Sequence, residues 1–350
     1  MTSMSKPLID KHLPRNKLNL TVRDYEGSMS TLCAGCGHDS VTAALVQAFW
    51  ELDLPPHSAA KISGIGCSSK TTAYFMGQSH GINCVHGRMP SVATGANAVN
   101  GDLHYIGISG DGDSLSIGFG QFAHAIRRNL NMLYVLENNG VYGLTKGQFS
   151  ASADIGTKSK KGIANEQSPI DPCVQALTLG AGFVARAFSG DKSQLVPLIQ
   201  AGLMHKGFAL IDVISPCVTF NDHVGSTKSY AHTFKYYHPL IHTDFVAHHE
   251  EITADTSDGG AITVTMHDGG ILKLRKTDDN YDPRDRAQAI ETLLLGDKSG
   301  EIRTGLLYVN EDLPDMHAAN HLPKTPLNAL PYEALTPGRA ALAKLQGRWR

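Results

Sequence analysis

Up to about residue 215 the apolar positions alternate between two spacings. Val41, Leu45, Val46, Phe49 and Trp50 recur at helical spacing behind Asp39 and Ser40, which predicts a helix capped by one of those polar residues. Short apolar runs over 61–66 and 81–85 predict strands, and 103–109 predicts another that runs into Gly110-Asp111-Gly112. A helix is expected over 114–128 and a buried strand over 131–137. Beyond a Gly-rich loop come a helix over 173–179, a strand over 183–187, a helix over 192–204 and a buried strand over 208–214. Helices alternating with almost wholly apolar strands predict an α/β fold with a mainly parallel sheet flanked by helices.

Past residue 220 the pattern changes. Residues 262–266 and 271–275 alternate with period two around His267-Asp-Gly-Gly270, the pattern of a hairpin. Pro283 is expected to open a helix to about 295, and the last forty residues are rich in Pro and polar side chains. The organisation expected is an extended polar arm over 1–27, the α/β domain over 28–220 and a smaller α+β extension over 221–350 with a hairpin and a tail.

Composition narrows the function. Glycine makes up 35 of 350 residues, above the usual share of about 7%, which suits a fold with close backbone approaches to a ligand. Thirty-one basic against 33 acidic residues leave no basic field for nucleic acid. No apolar run approaches a membrane span, and the first 27 residues hold no secretory block. A cytoplasmic protein is expected, in which six cysteines would be reduced thiols rather than a disulfide framework.

The cysteines differ in setting. Cys33-Ala-Gly-Cys36 is a CxxC, Cys67 lies in Gly64-Ile-Gly-Cys-Ser-Ser69, and Cys217 follows Ser215-Pro at the end of the last predicted strand of the domain. Four thiolates drawn from turns suit an iron–sulfur cluster or zinc, and a redox CxxC is a third reading. Cys84 and Cys173 sit in predicted regular elements and read as small buried hydrophobes.

The second signal is Gly110-Asp111-Gly112-Asp113 at a strand-to-helix junction. Glycines at a helix N-terminus offer free N–H groups to a diphosphate. An acidic residue there needs a divalent ion between itself and the phosphate, so Asp111 is a candidate Mg²⁺ ligand. Asn138-Asn139-Gly140 ends the next predicted strand, at the same carboxyl edge of a parallel sheet, and adds an amide oxygen and a carbonyl.

These motifs, with His86-Gly-Arg88 and Leu144-Thr-Lys-Gly-Gln148, resemble the β subunits of 2-oxoacid:ferredoxin oxidoreductases, most closely the 2-oxoglutarate (KorB-type) branch. The likeness covers about residues 30 to 240. It implies a thiamine-diphosphate-binding fold of the diphosphate-half type, with one [4Fe-4S] cluster on Cys33, Cys36, Cys67 and Cys217 and Mg²⁺ on Asp111, Asn139 and the carbonyl of Val141. It places thiamine diphosphate against Ile65, Gly66, Cys67, Ser68, His86, Gly112, Asp113, Gly143 and Leu144. It puts Lys70 and Leu144 near the substrate and Lys146 near coenzyme A. Pyruvate-type relatives tend to carry Asn where this chain has Leu144, which favours 2-oxoglutarate. Without the likeness, His86 reads as a structural histidine and Lys70 and Lys146 as solvated charges. The late histidines, His232, His238, His242, His248 and His249, read as a solvated face.

The resemblance implies oxidative decarboxylation of 2-oxoglutarate to succinyl-CoA, with electrons leaving through the cluster to ferredoxin, in either direction. The chain has a single thiamine-type domain, so the carboxylate that serves the aminopyrimidine ring is expected from an α subunit, in an α2β2 heterotetramer. Alternatives are a pyruvate or other 2-oxoacid enzyme of the same family, a non-catalytic iron–sulfur carrier, and a zinc-stabilised module.

Overall fold

Each predicted buried strand of the first 215 residues finds its place in a single sheet. The computed structural model describes residues 12–158, 162–246, 261–266, 269–276 and 280–349. The strands are β1 (Ala59–Ser63), β2 (His80–Asn83), β3 (His104–Gly110), β4 (Met132–Asn138), β5 (Val141–Tyr142), β6 (Gln148–Phe149), β7 (Phe183–Phe188), β8 (Phe208–Ile214), β9 (Tyr237–Val246), β10 (Ala261–Thr265), β11 (Ile271–Lys276) and β12 (Ile302–Val309). Strands β7, β8, β4, β3, β1 and β2 lie side by side in that order and all run parallel. Crossover helices α1 (Gly37–Glu51), α2 (Met89–Val99), α3 (Phe119–Arg127), α4 (Pro172–Leu179) and α5 (Lys192–Met204) serve these strands. Strands β4, β7 and β8 are buried along their whole length, which is why their sequences are almost uninterrupted apolar runs. The rings of Phe122, Tyr134 and Phe208 meet in this core at centroid separations of 5.3 to 6.0 Å.

Because the central strands are parallel, the carboxyl ends of β1, β3, β4 and β8 all open on one rim. The loops that leave them are Gly64–Cys67, Gly110–Gly112, Asn138–Gly140 and Ser215–Cys217. A sheet of this kind therefore gathers motifs that are up to 150 residues apart in the chain.

The structure departs from the expectations in several places. Helix α1 begins at Gly37 with Cys36 at its N-cap and no side-chain cap, so Asp39 and Ser40 lie inside the helix. The helix expected over 114–128 is split. A π-helical turn (Gly112–Ile117) closes with Gly118 N–H on the Asp113 carbonyl at 2.9 Å, and α3 starts only afterwards. Of the expected polar arm, residues 1–11 lie outside the described residues. The part that follows is docked: Tyr25 is fully buried, and the Trp50 indole donates to the Leu20 carbonyl at 3.0 Å.

The C-terminal region joins the same sheet. The predicted hairpin is present, with Ile262 opposite Leu274, although His267 and Asp268 of its turn lie outside the described residues. Besides the two-residue β5 and β6, two strands of this region escaped the sequence reading. Strand β9 carries Pro239 and the histidines at 238 and 242, and its composition hides its pairing with β11 and β12. Strand β12 pairs antiparallel with β7 and so attaches the later strands to the parallel sheet. His248 and His249 fall outside the described residues. Helices α6 (Tyr230–Tyr236), α7 (Arg286–Ser299), α8 (Met316–Ala319), α9 (Tyr332–Leu335) and α10 (Gly338–Gly347) complete the chain, the last two standing almost wholly exposed. No helix among the described residues is long and apolar enough to cross a membrane.

One buried cation braces the rim from below. Lys61, on β1, donates to the carbonyls of Phe75 at 2.6 Å and Met76 at 2.9 Å, and its ammonium lies 5.0 Å from the Phe75 ring centroid. Burial pushes its pKa down to about 8 from 10.5. Between those values the unfolded chain holds a proton that the folded chain releases, so stability rises as pH rises from 8 to 10.5. Lys61→Met removes this dependence. At about 1.4 kcal/mol per pH unit, the stability of the wild type over the variant should grow by roughly 3 kcal/mol across that window in denaturant titrations. A constant difference would show that the ammonium is unperturbed.

Candidate functional site

The site is built around Asp111, at the end of β3 and 1% exposed. Its Oδ2 accepts the Gly140 N–H at 3.0 Å and the Ser152 hydroxyl at 2.5 Å, and it also takes a hydrogen bond from Ser150. Burial raises its carboxyl above the usual range, opposed by the two serine hydroxyls and, further off, by the Lys228 charge. The turn after β4 faces it: Asn139 Oδ1 accepts the Val141 N–H at 3.1 Å, and the Asn139 carbonyl accepts from Asn221 at 2.7 Å.

Asp113, one turn on, is engaged by three segments. Its Oδ1 meets His86 Nδ1 at 2.7 Å and the N–H groups of Gly87 at 2.8 Å and Ile65 at 3.4 Å. Its Oδ2 accepts from Ser109 at 2.8 Å. Asp113 thus clamps the loops after β1 and β2 onto the start of the π-helical turn, and this geometry makes it a brace between loops. The fit is tight, because a Cβ on Gly64 would collide with the Asp113 carboxylate, and one on Gly87 would lie 2.7 Å from the backbone of Gly118. His86 has Nδ1 committed to Asp113, and the ring lines the pocket.

One pocket is lined by Ile65, Gly66, Cys67, Ser68, His86, Asp111, Gly112, Asp113, Asn139, Val141, Gly143 and Leu144. Every residue for which the resemblance implies a thiamine diphosphate or Mg²⁺ contact is thus on one wall. Leu144 stands at the mouth, 45% exposed. Lys146 lies on the exposed outer face of the same loop with φ at 76°, and Lys70 is half-buried one turn past Cys67; neither lines this pocket.

The cysteines at 33, 36, 67 and 217 gather beside the pocket. A Cβ on Gly143 would lie 3.4 Å from Cys67 Sγ and 3.6 Å from Cys217 Sγ, so both sulfurs border one glycine. The Thr219 hydroxyl donates to Cys33 Sγ at 3.4 Å. Backbone N–H groups of Thr219, Phe220 and Asn221 face Cys217 Sγ, and that of His38 faces Cys36. Burial pushes the Cys36 thiol up to about 12, with the charges of Glu137 and Cys217 adding to it. Burial likewise raises Cys67 and Cys217, each further raised by the nearby Cys33, while the Lys70 ammonium opposes the shift at Cys67. Among the described residues no three His, Cys, Asp or Glu side chains converge on a single ion. Cys84 and Cys173 are buried elsewhere, as read from their positions.

Several residues of the site were missed from sequence. Glu137, the last residue but one of β4, is fully buried, accepts from Thr71 at 3.2 and 3.3 Å, and burial raises its carboxyl well above the usual range. His38, in the first turn of α1, lines the pocket with Nδ1 at 2.6 Å from Ser215 Oγ, and burial lowers its pKa to about 4. Behind Asp111 runs a buried polar chain. Asp171 caps α4 and pairs with Arg186 at 2.6 Å, Arg186 pairs with Asp212 at 2.7 Å, and Asp212 accepts from Asn138 at 3.0 Å. Ser152 then stands between Asn138 and Asp111. The available signal was a charge inside an otherwise apolar strand, as at Arg186, Asp212 and Glu137. Arg186 and Asp212 are register partners on adjacent strands, a pairing that appears only once the sheet is assembled.

Comparison with known proteins agrees with this geometry. Residues 64–213 match the family described as thiamine pyrophosphate enzyme, C-terminal TPP binding domain. The β subunit of 2-oxoacid:ferredoxin oxidoreductase from Saccharolobus solfataricus is 40% identical over 211 residues, 60% of this chain and 67% of that one. The 2-oxoglutarate synthase subunit KorB of Methanocaldococcus jannaschii is 35% identical over 58% of this chain and 75% of its own length. The 2-oxoglutarate oxidoreductase subunit KorB of Mycobacterium tuberculosis is 38% identical over 54% of this chain and 51% of its own length. A solved structure of 2-oxoglutarate:ferredoxin oxidoreductase from Magnetococcus marinus, with 2-oxoglutarate, coenzyme A and succinyl-CoA bound, superposes with a TM-score of 0.71 at 29% identity. The superposition covers 89% of this chain and 91% of that one.

The Asp113 clamp can be tested alone. Gly64→Ala puts a methyl group against the Asp113 carboxylate, and the overpacking should cost about 1–3 kcal/mol in denaturant titration. By loosening His86 and the Ile65 loop it should also weaken thiamine diphosphate binding in equilibrium dialysis. Unchanged stability and binding would show that the loop is free to move aside.

Proposed function

Because the chain belongs to the β subunits of the 2-oxoacid:ferredoxin oxidoreductases, we propose that it is the diphosphate- and cluster-binding half of a 2-oxoglutarate:ferredoxin oxidoreductase. The reaction joins 2-oxoglutarate, coenzyme A and two oxidised ferredoxins to give succinyl-CoA, CO₂, two reduced ferredoxins and a proton. The observation that carries the reading is Cys67, which lies on the wall of the Asp111 pocket and beside Cys217 at Gly143. One loop would then touch both the cofactor and the electron acceptor.

The residues suit the groups assigned to them. Asp111 is buried on the pocket wall beside Asn139, with donors gathered on its Oδ2, and its carboxylate is a hard oxygen ligand of the kind Mg²⁺ takes. Asn139 and the Val141 carbonyl are hard oxygen donors on the same wall. Burial raises the thiols of Cys36, Cys67 and Cys217, and the negative charge of neighbouring thiolates adds to the shift; iron bound by the four sulfurs would relieve it. Their failure to converge on one point suits a cluster, in which each thiolate ligates its own iron, better than a single zinc ion. Bound thiamine diphosphate supplies the electron sink for decarboxylation, and the cluster supplies one-electron acceptance.

This chain's own residues hold the two close. The N–H groups at the start of the π-helical turn would face the diphosphate, His86 presents to the pocket the ring edge opposite its Asp113 bond, and Leu144 limits the substrate at the mouth. Lys70 and Lys146 serve the substrate carboxylate and coenzyme A from the loop margins. The exposed mouth is the face that an α subunit would cover, with the assembly an α2β2 heterotetramer. A broader 2-oxoacid specificity is the second reading. It is favoured by relatives of that name at 37% to 43% identity, against 32% to 38% for the KorB relatives.

Turnover of the purified heteromer with coenzyme A and ferredoxin should favour 2-oxoglutarate over pyruvate by about tenfold or more in kcat/KM, the scale of one well-placed pocket contact. Equal turnover would select the broad reading, and a preference for pyruvate would exclude both. The isolated chain should contain iron and acid-labile sulfide yet reduce no ferredoxin with any 2-oxoacid. Cys217→Ala should lose most of the iron and sulfide. Zinc in place of iron, with no sulfide, would end the electron-transfer assignment.

A further inference from the structure

His38 has a defined protonation geometry that can be read from its neighbours. Its Nε2 lies 3.5 Å from Asn139 Nδ2, and its Nδ1 lies 2.6 Å from Ser215 Oγ and 3.5 Å from Glu137 Oε2. The orientation of the Asn139 amide is read from its other end, where Oδ1 accepts the Val141 N–H at 3.1 Å. The group turned to His38 is therefore the NH₂, which can only donate. Nε2 must be the acceptor, so the ring proton sits on Nδ1 and points to Ser215 and the Glu137 carboxyl. Glu137 is itself held by Thr71.

An asparagine amide has two orientations of nearly the same shape, and only one turns its oxygen to a cation. The wrong one would point two N–H groups at a divalent ion. We propose that His38 is the positioning residue for Asn139: by accepting from its NH₂, the ring holds the amide with oxygen toward the divalent ion beside Asp111. This rests on the reading of Asp111 and Asn139 as a cation site. Ser215 keeps the ring in place from β8, and Gly37 allows the approach, since a Cβ there would lie 2.6 Å from Ser215 Oγ. A single imidazole thus joins the cation turn to the loops that carry Cys36 and Cys217.

The test is the Mg²⁺ dependence of thiamine diphosphate binding to the purified heteromer, by equilibrium dialysis with thiochrome detection and no turnover. His38→Asn still reaches Ser215 but falls short of Asn139, and the Mg²⁺ concentration for half-saturation should rise about tenfold. His38→Gln offers an oxygen to Asn139 and an NH₂ to Ser215, and should stay within about threefold of wild type. Iron and sulfide contents should match wild type in both variants. Equal Mg²⁺ dependence of the Asn and Gln variants, at either level, overturns the proposal, since a merely structural role would not separate two amides. Asp111→Ala is measured alongside. If it keeps the wild-type Mg²⁺ dependence, the cation site itself is misassigned and His38 loses its role. If it abolishes that dependence while the His38 variants behave as wild type, the His38 proposal alone fails.

Discussion

The carboxylate of Asp111 is carried into a place that water hardly reaches, and much of the surrounding structure follows from how its charge is met. A buried charge without partners costs several kcal/mol, so donors have to be brought to it. Here they are a backbone N–H from the turn after β4 and hydroxyls from Ser150 and Ser152, beyond β6. Those donors belong to different segments, and each must be held in turn. Asn138 is tied to Asp212, Asp212 to Arg186, and Arg186 to the cap of α4, so the support runs back through two parallel strands to a helix. Hydroxyls share charge without cancelling it. A divalent cation at the carboxylate would complete the balance, and the same cation would let a diphosphate lie beside an acidic residue.

A parallel sheet makes this arrangement inexpensive in chain length. Every crossover returns the chain to the same rim, and the loops after β1, β3, β4 and β8 come together without any long excursion. Under the proposed function two chemistries would share the rim. Cys67 stands between them, facing the Asp111 pocket on one side and the other thiols on the other. Electron transfer over a short distance needs only this adjacency. The open mouth at Leu144 suits a site completed by another subunit, as membership among β subunits implies.

The rim also shows why some glycines and short side chains stand where they do. Gly37 lets the start of α1 approach β8, and Gly64 leaves room for the Asp113 carboxylate. Asp113, expected from the resemblance to contact the cofactor, spends both oxygens on His86, two backbone N–H groups and Ser109. Its work is to hold the loops after β1 and β2 at one spacing, which is how a carboxylate on a pocket wall can serve a bound diphosphate without repelling it.

Much of the fold was legible locally. Strands β3, β4, β7 and β8 are buried on both faces, so their apolar runs announce them, and α5 follows its helical spacing to the residue. Strands β9 and β12 were not legible, because an outer strand mixes polar and apolar positions and its identity lies in its neighbours. The split after Asp113 was equally hidden, since a π-helical turn keeps helix-like composition. For the site, the chain itself determined the cysteines, Asp111 and Asn139, because Gly-flanked turns at strand ends are local signals. Only the tertiary structure decided the partners of His38, Glu137, Arg186 and Asp212. Their meaning depends on distances between residues 15 to 177 positions apart, and linear order carries no information about which buried charges will meet.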